Sequence, residues 1–423
     1  MNYKNLCLLP LFLLTGAPGV AGDLLLLGAS DKPSALYEPG EKMVFTLRLE
    51  KDGQPVAGTR LTWTRTGDDG LLEKGEAVSS AEPLVITTSS AKPGFVRIQA
   101  GALDAEGKPV VNESKKKAAF DGGGGVRPET LRGVPEPADF DAYWAGQKAV
   151  LARTPLEVLE MKPLPEKSPE AETFDLKIAC PGGRPVSGYF SKTKNAAPKS
   201  AGAMLTLHGY GVRSAARNDA QAANPKKPML VLDINAHGIE NGRPPDYYDN
   251  LMKTSLKGYA FDREQNARPE TAYFNGMVFR VLRALEFLKA QPEWDGKTLV
   301  VSGGSQGGFQ ALLAAGLDAD VSQCSAYKPW CCDLGGVTLD RIKGWRPDYL
   351  PALDYFDPVN HAKRIRCETR ITSGLGDYVC PPSGVSVLYN NIPAGVAKRI
   401  EYQQGATHGE TPPNMVKHVV SSP

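Results

Sequence analysis

An α/β fold is predicted for most of this chain: a mostly parallel central sheet with helices on its faces, preceded by a small all-β sandwich. Three observations predict it. Apolar runs at 204–207, 229–232, 299–301 and 369–372 lack polar alternation, as strands buried on both faces do. Between two of them, Val278, Val281, Leu282, Leu285 and Leu288 keep the i, i+3, i+4, i+7 spacing of a helix packed on a sheet, and Pro292 stops it. Ahead of residue 121 the text changes to period-two alternation, as in Met-Val-Phe-Thr-Leu-Arg-Leu at 43–49, broken by Asp-Gly, Pro-Gly and Lys-Pro turns.

Taken in order, residues 1–21 carry Lys4, an apolar run at 6–14 and the small residues Gly19-Val20-Ala21. They read as a signal peptide and predict export to the periplasm or beyond. The apolar run is too short for a membrane anchor, and no other segment approaches a membrane span. Residues 22–120, with further runs at 59–64 and 94–100, read as a sandwich of immunoglobulin-like size. The four glycines Gly122 to Gly125 read as a flexible hinge inside a linker at 121–131, so a chain cut there is expected to fold alone. The remainder, 132–423, opens with an amphipathic helix at 139–151. A hairpin at 173–178 and 186–190 follows, turned by Pro181-Gly-Gly-Arg-Pro185.

The 423 residues suffice for two or three domains, and 41% hydrophobic with 8% aromatic content is that of a soluble globular protein. A net charge of +2 without basic runs gives no footprint for nucleic acid. Beyond the signal lie six cysteines, at 180, 324, 331, 332, 367 and 380. Export permits disulfides, but the spacing decides no pairing, and the adjacent Cys331 and Cys332 cannot easily bridge each other. No Cys-x-x-Cys pair or histidine cluster has metal spacing, so neither metal nor cofactor is expected.

Chemistry concentrates at Gly303-Gly-Ser305-Gln-Gly307, where a β-branched run enters a glycine-packed turn and an alanine- and leucine-rich stretch leaves it. Gly-x-Ser-x-Gly between strand and helix is a nucleophile elbow. Its glycines spare a turn too sharp for side chains at 303 and 307. A serine needs a base and an orienting acid, in the chain order Ser, Asp or Glu, His. Among the downstream histidines, His418 lies in the tail and His361 reads as a helix start, whereas His408 follows a strand-like run at 399–403. Asp377 sits just past the strand at 369–373, where catalytic groups of open sheets gather. Asp354 and Asp357 suit helix caps or turns. The turn His208-Gly209-Tyr210 after another strand supplies an oxyanion donor, so the hole is assigned to the main-chain N–H groups of Tyr210 and Gln306, with the His208 side chain structural. Strand, helix and strand with such groups at strand ends is the α/β-hydrolase plan.

Three stretches resemble the acetyl xylan esterase and cephalosporin C deacetylase family. They are 135–144 (Pro-Glu-Pro-Ala-Asp-Phe-Asp-Ala-Tyr-Trp), 283–295 leading into 303–308, and Gly376-Asp377-Tyr-Val-Cys-Pro-Pro382. The resemblance covers about Arg132 onward and leaves the sandwich outside. It implies an α/β-hydrolase serine esterase that removes acetyl groups from sugar hydroxyls, with Ser305, Asp377, His408, Tyr210 and Gln306 in the roles already assigned. Two departures are visible. Asp233-Ile-Asn-Ala-His237 stands where the family usually has Asp-x-Arg-Gly-Gln, and Gly409 precedes Glu410 where Glu usually follows the base directly. The expectation is therefore an exported deacetylase of oligo- or polysaccharides, with Trp330 and Tyr210 as sugar-facing aromatics and acetyl preferred over longer acyl groups. Alternatives are a serine hydrolase of another sugar ester or peptide, or a glycan-binding protein with a relic hydrolase domain. Glycan identity, oligomeric state and the role of the sandwich stay open.

Overall fold

The computed structural model describes residues 23–112 and 115–422. The expected signal peptide at 1–21 lies outside them. A ten-stranded mixed sheet forms the larger half. Its six central strands run parallel in the order Met229–Ile234, Ala201–Leu207, Trp294–Gly304, Gln323–Tyr327, Glu368–Gly374 and Lys398–Gln403. The apolar runs read from the sequence fall inside four of these strands, where Leu205, Leu230, Leu232, Leu299 and Val301 are wholly buried. The predicted hairpin, Ala171–Ile178 with Val186–Thr193, adds antiparallel strands at one edge. Lys417–Ser422 closes the other. The helix Tyr273–Lys289 lays Val281, Leu285 and Leu288 of the predicted stripe on the sheet, while Val278 and Leu282 join a second core cluster with Phe309 of the helix Gln306–Leu317 packed beside it. This is the α/β-hydrolase arrangement, with the parallel strands all delivering their loops to one edge. Among the described residues no helix is long and apolar enough to cross a membrane.

The smaller half is a two-sheet β structure. A four-stranded sheet faces a five-stranded one, and Phe45, Leu47, Leu61, Ile86, Val96 and Ile98 fill the space between them. Alternation along Met43–Lys51 places Met43, Phe45, Leu47 and Leu49 inward, as the sequence predicted.

The glycine run is not a linker. Gly122 to Gly125 lie inside the strand Ala119–Val126, which pairs antiparallel with Gly94–Leu103, and all four are buried. Crowding explains the composition. A Cβ at Gly123 would stand 2.1 Å from the Val96 carbonyl oxygen, and one at Gly122 would stand 2.3 Å from Gln404 Oε1. The glycines let two surfaces close together instead of letting them swing apart. The halves also share a core: Ala35 and Phe95 of the sandwich belong to the cluster that holds Leu176, Leu205 and Val301. A chain cut at the glycines would therefore leave that core incomplete, contrary to the expected separability.

Candidate active site

The elbow forms as its sequence demands. Ser305 takes φ 54° and ψ −119°, a conformation that costs a non-glycine residue about 1–3 kcal/mol. Local contacts hold it there. The Ser305 N–H donates to the Tyr327 carbonyl at 2.9 Å, and its own carbonyl accepts from Phe309 and Trp330, each at 3.0 Å. A Cβ on Gly307 would meet the Leu207 carbonyl oxygen at 2.0 Å, and one on Gly303 would meet the Gly307 carbonyl carbon at 2.4 Å. Only glycine fits either position.

Asp377 and His408 arrive on the loops after the next two strands but one and meet the serine. His408 Nε2 lies 3.0 Å from Ser305 Oγ, and His408 Nδ1 lies 2.9 Å from Asp377 Oδ2. The other carboxylate oxygen of Asp377 accepts from the Val379 and Cys380 N–H groups at 3.1 and 2.9 Å. These bonds fix the carboxylate, wholly buried, with one oxygen free for the imidazole. The acid and base loops are stitched to each other, Leu375 N–H to Gln403 and Gly376 N–H to Ala406. Lys328 Nζ donates to the Thr407 carbonyl next to the histidine, and burial lowers its pKa.

On the opposite wall, the His208–Gly209 turn passes close to the elbow: a Cβ on Gly209 would stand 3.6 Å from Ser305 Cβ. As the first residue of its helix, Gln306 has an N–H without an intrahelical acceptor. Tyr259 ties the two sides together. Its hydroxyl accepts from the Gly211 N–H at 2.8 Å and donates to Gln306 Oε1 at 2.8 Å, and its ring stacks on Tyr210 with centroids 4.3 Å apart. His237, in the loop that lacks Arg-Gly-Gln, accepts from the Tyr273 hydroxyl at 2.7 Å and donates from Nε2 to the Gly211 carbonyl at 3.2 Å. Burial depresses the pKa of this ring to about 3 and keeps it neutral, so that with Nε2 giving its proton to the carbonyl, Nδ1 is the acceptor. Nothing in the amino-acid pattern singles out Tyr259, which lies in a run of turns after the helix Pro245–Lys253.

Several expectations are settled by placement. Trp330 is fully buried, its indole N–H given to the Trp345 carbonyl, so it does not face a sugar. A place just after a strand end, which suggested a platform, also suits a large aromatic packed into the core. The neighbouring Trp345, by contrast, is 44% exposed and meets Tyr210 edge-on at 4.7 Å. Asp357 caps the helix Pro358–Ala362 through the Val359 N–H, and Asp354 accepts from the Tyr349 hydroxyl, so neither reaches the site. His361 is buried and His208 half-buried, and the withdrawal of both rings from solvent pushes their pKa values down to about 3 and about 4 and holds them neutral. All six described cysteines are free thiols. Asp377, Cys380 and His408 offer ligand atoms within 4.8 Å of one another. The carboxylate and imidazole already satisfy each other there, and burial drives the Cys380 thiol well above its usual pKa, which opposes the thiolate a metal needs.

The profile of the acetyl xylan esterase (AXE1) family matches residues 129–344 and 338–421. Acetyl esterase Axe7A of Xylanibacter ruminicola is 29% identical over 399 residues, spanning 88% of this chain and 84% of that protein. Two solved structures share the fold. The acetyl xylan esterase from Paenibacillus sp. R4 has a TM-score of 0.56, and acetyl xylan esterase 1 from Thermoanaerobacterium sp. JW/SL YS485 one of 0.55. Each is 23% identical and covers 68% of this chain and 94% of its own.

Proposed function

The chain belongs to the acetyl xylan esterase family and is a carboxylic ester hydrolase, and from that premise we propose that it removes acetyl groups from O-acetylated carbohydrates through a serine acyl-enzyme. The observation that carries this reading is His408 bridging Ser305 at 3.0 Å and Asp377 at 2.9 Å. Ser305 Oγ attacks the acetyl carbonyl while His408 Nε2 takes its proton. Asp377 keeps the Nδ1 proton in place and balances the imidazolium. The N–H groups of Tyr210 and Gln306 receive the tetrahedral oxyanion, and such a donor typically supplies about 3–4 kcal/mol of barrier reduction. The C–O bond to the sugar then breaks, and the leaving oxygen takes the proton from His408. Water, deprotonated by the same imidazole, attacks the acetyl-serine and releases acetate.

A small acyl group suits the site, because the oxyanion turn is walled by Tyr259, Phe261, Trp330 and Trp345 around Tyr210. Trp345, the exposed member, offers a face for a sugar ring. The proposal includes export directed by residues 1–21, checked by the N-terminus of protein recovered outside the cytoplasm.

Fluorophosphonate labelling of Ser305, followed by acetate release from acetylated xylooligosaccharides, tests the chemistry. kcat/KM on p-nitrophenyl acetate, butyrate and octanoate tests the acyl pocket, where each rejected methylene is worth about 1–3 kcal/mol. Octanoate preferred over acetate, with no acetate freed from any sugar, would remove the chain from carbohydrate deacetylation.

A further inference from the structure

We propose that the β-sandwich is a working part of the esterase site, with Arg97, Asp121 and Gln404 as positioning residues that set the geometry of Asp377 and His408. The inference rests on the triad reading above and adds who holds the triad in place.

Three sandwich contacts bear on the loops that carry the acid and the base. First, the acid loop lies backbone against backbone on the strand Ala119–Val126: a Cβ at Gly376 would stand 2.0 Å from the Asp121 carbonyl oxygen. Second, Arg97 forks onto Asp121 at 2.8 and 2.5 Å and lays its guanidinium 4.2 Å from the centroid of the Tyr378 ring, the residue after the catalytic acid. The fork fixes the guanidinium plane, and the plane fixes the ring. Third, Gln404, four positions before His408, inserts its buried side chain into the sandwich. Its Oε1 accepts from the Gly123 N–H at 2.9 Å, and its Nε2 donates to the Gly123 carbonyl at 2.7 Å and to Ser30 Oγ at 3.2 Å. A fourth contact reaches the aromatic wall. Asp68 accepts from its own strand neighbour Phe95 and from the Ile342 N–H at 3.0 Å, three residues before Trp345.

The elbow receives no such support. Among the described residues no hydrogen bond joins 303–308 to 23–126. The sandwich therefore sets the position of the acid and base relative to a serine that holds itself. Because a shift of about 1 Å in a catalytic group can cost about a hundredfold in rate, bonds of this kind matter to catalysis as well as to folding.

The test uses the full-length chain carrying Arg97→Met, Asp121→Asn or Gln404→Leu. Arg60→Ala, which removes an exposed ion pair with Glu76 on the same sandwich sheet, is the control. Titration with a fluorophosphonate counts reactive serines in each preparation, so that misfolded protein does not enter the rate. The expected result is kcat on p-nitrophenyl acetate, per titrated site, lower by about tenfold or more in the three variants, with KM within about twofold. The acid limb of their pH–rate profile should also move to lower pH, because a loosened carboxylate stabilises the imidazolium less. Arg97→Lys, which keeps a cation against Asp121, should recover part of the loss, and Arg60→Ala should match the parent. If one variant yields no folded protein, Asp121→Asn, which preserves volume and an acceptor, decides. Unchanged kcat per site and an unmoved pH profile beside a labelled parent overturn the inference alone. A parent chain that the fluorophosphonate leaves unlabelled overturns the esterase reading and this inference with it.

Discussion

The three members of the proposed triad are held in place by two different means. Ser305 is fixed by its immediate surroundings: glycines two residues away on either side, a carbonyl from the adjacent strand, and the first turn of its own helix. Asp377 and His408 ride on loops whose outer supports come from the far end of the chain. Gln404 meets Gly123 across 281 positions of sequence, and Tyr378 beside the acid meets Arg97 of the sandwich. A nucleophile in a strained conformation has to be over-determined locally, or the strain would relax it. A carboxylate and an imidazole in relaxed loops carry no such constraint, and they can be set by whatever packs behind them. In the proposed mechanism the reacting oxygen is thereby insulated from the sandwich, while the proposed proton relay is braced against it.

The sharpest way to break this division is at the serine. Ser305→Ala should abolish ester hydrolysis, a loss of at least about 10⁴-fold in kcat, while the melting temperature stays nearly unchanged because no sizeable cavity opens. Turnover of p-nitrophenyl acetate and a thermal melt check both halves of the statement, and an active variant would end the mechanism.

Asp377→Asn probes the relay side. With Oδ1 still accepting from Val379 and Cys380, the new amide NH₂ faces His408 Nδ1 and forces that nitrogen to accept. The imidazole then carries its proton on the nitrogen that faces Ser305, and kcat should fall by about 10⁴-fold with the fold intact. Asp354→Asn or Asp357→Asn producing that loss instead would move the acid elsewhere.

Tyr259→Phe should have a smaller effect. It removes the hydroxyl shared by the Gly211 N–H and Gln306 Oε1 and leaves the ring stacked on Tyr210. A drop of about tenfold in kcat with KM little changed would place Tyr259 behind the oxyanion donors. A pure KM effect would instead make it part of the binding wall.

The mildest effect concerns acid stability on the elbow side, where the helix Gln306–Leu317 packs against His361: a Cβ at Gly316 would stand 2.7 Å from the His361 carbonyl oxygen. The His361 ring sits edge-on to Phe140 and Trp144 and is held neutral, its pKa lowered from 6.5 to about 3 by burial. Because the unfolded chain binds a proton there below about pH 6.5 and the folded chain does not, stability from this group is present above that pH and is lost progressively toward pH 3. The stability advantage of the parent over His361→Asn should therefore shrink by about 2 kcal/mol between about pH 7 and pH 5. Denaturant melts at the two pH values measure it, and a constant difference would mean the ring titrates as it does in water.

Residues whose role is decided within a few positions were legible in the chain. The elbow is one, since a sharp strand-to-helix turn excludes side chains at 303 and 307 by local sterics alone. The unalternating strand runs and the leucine stripe of Tyr273–Lys289 are others, because burial on a sheet imposes its own period. The chain order of Ser305, Asp377 and His408 followed from the order of the parallel strands that present them. Other assignments depended on which distant surface arrives, and composition carries no record of that. Four consecutive glycines have the composition of a free linker, yet here they are a strand thinned so that Gln404 can reach its backbone. Trp330 and Trp345 are the same residue type fifteen positions apart. One is sealed in the core because Phe274 and Phe309 close over it in addition to Tyr210 and Phe261, and the other, set against Tyr210, Phe261 and Trp330, is left exposed.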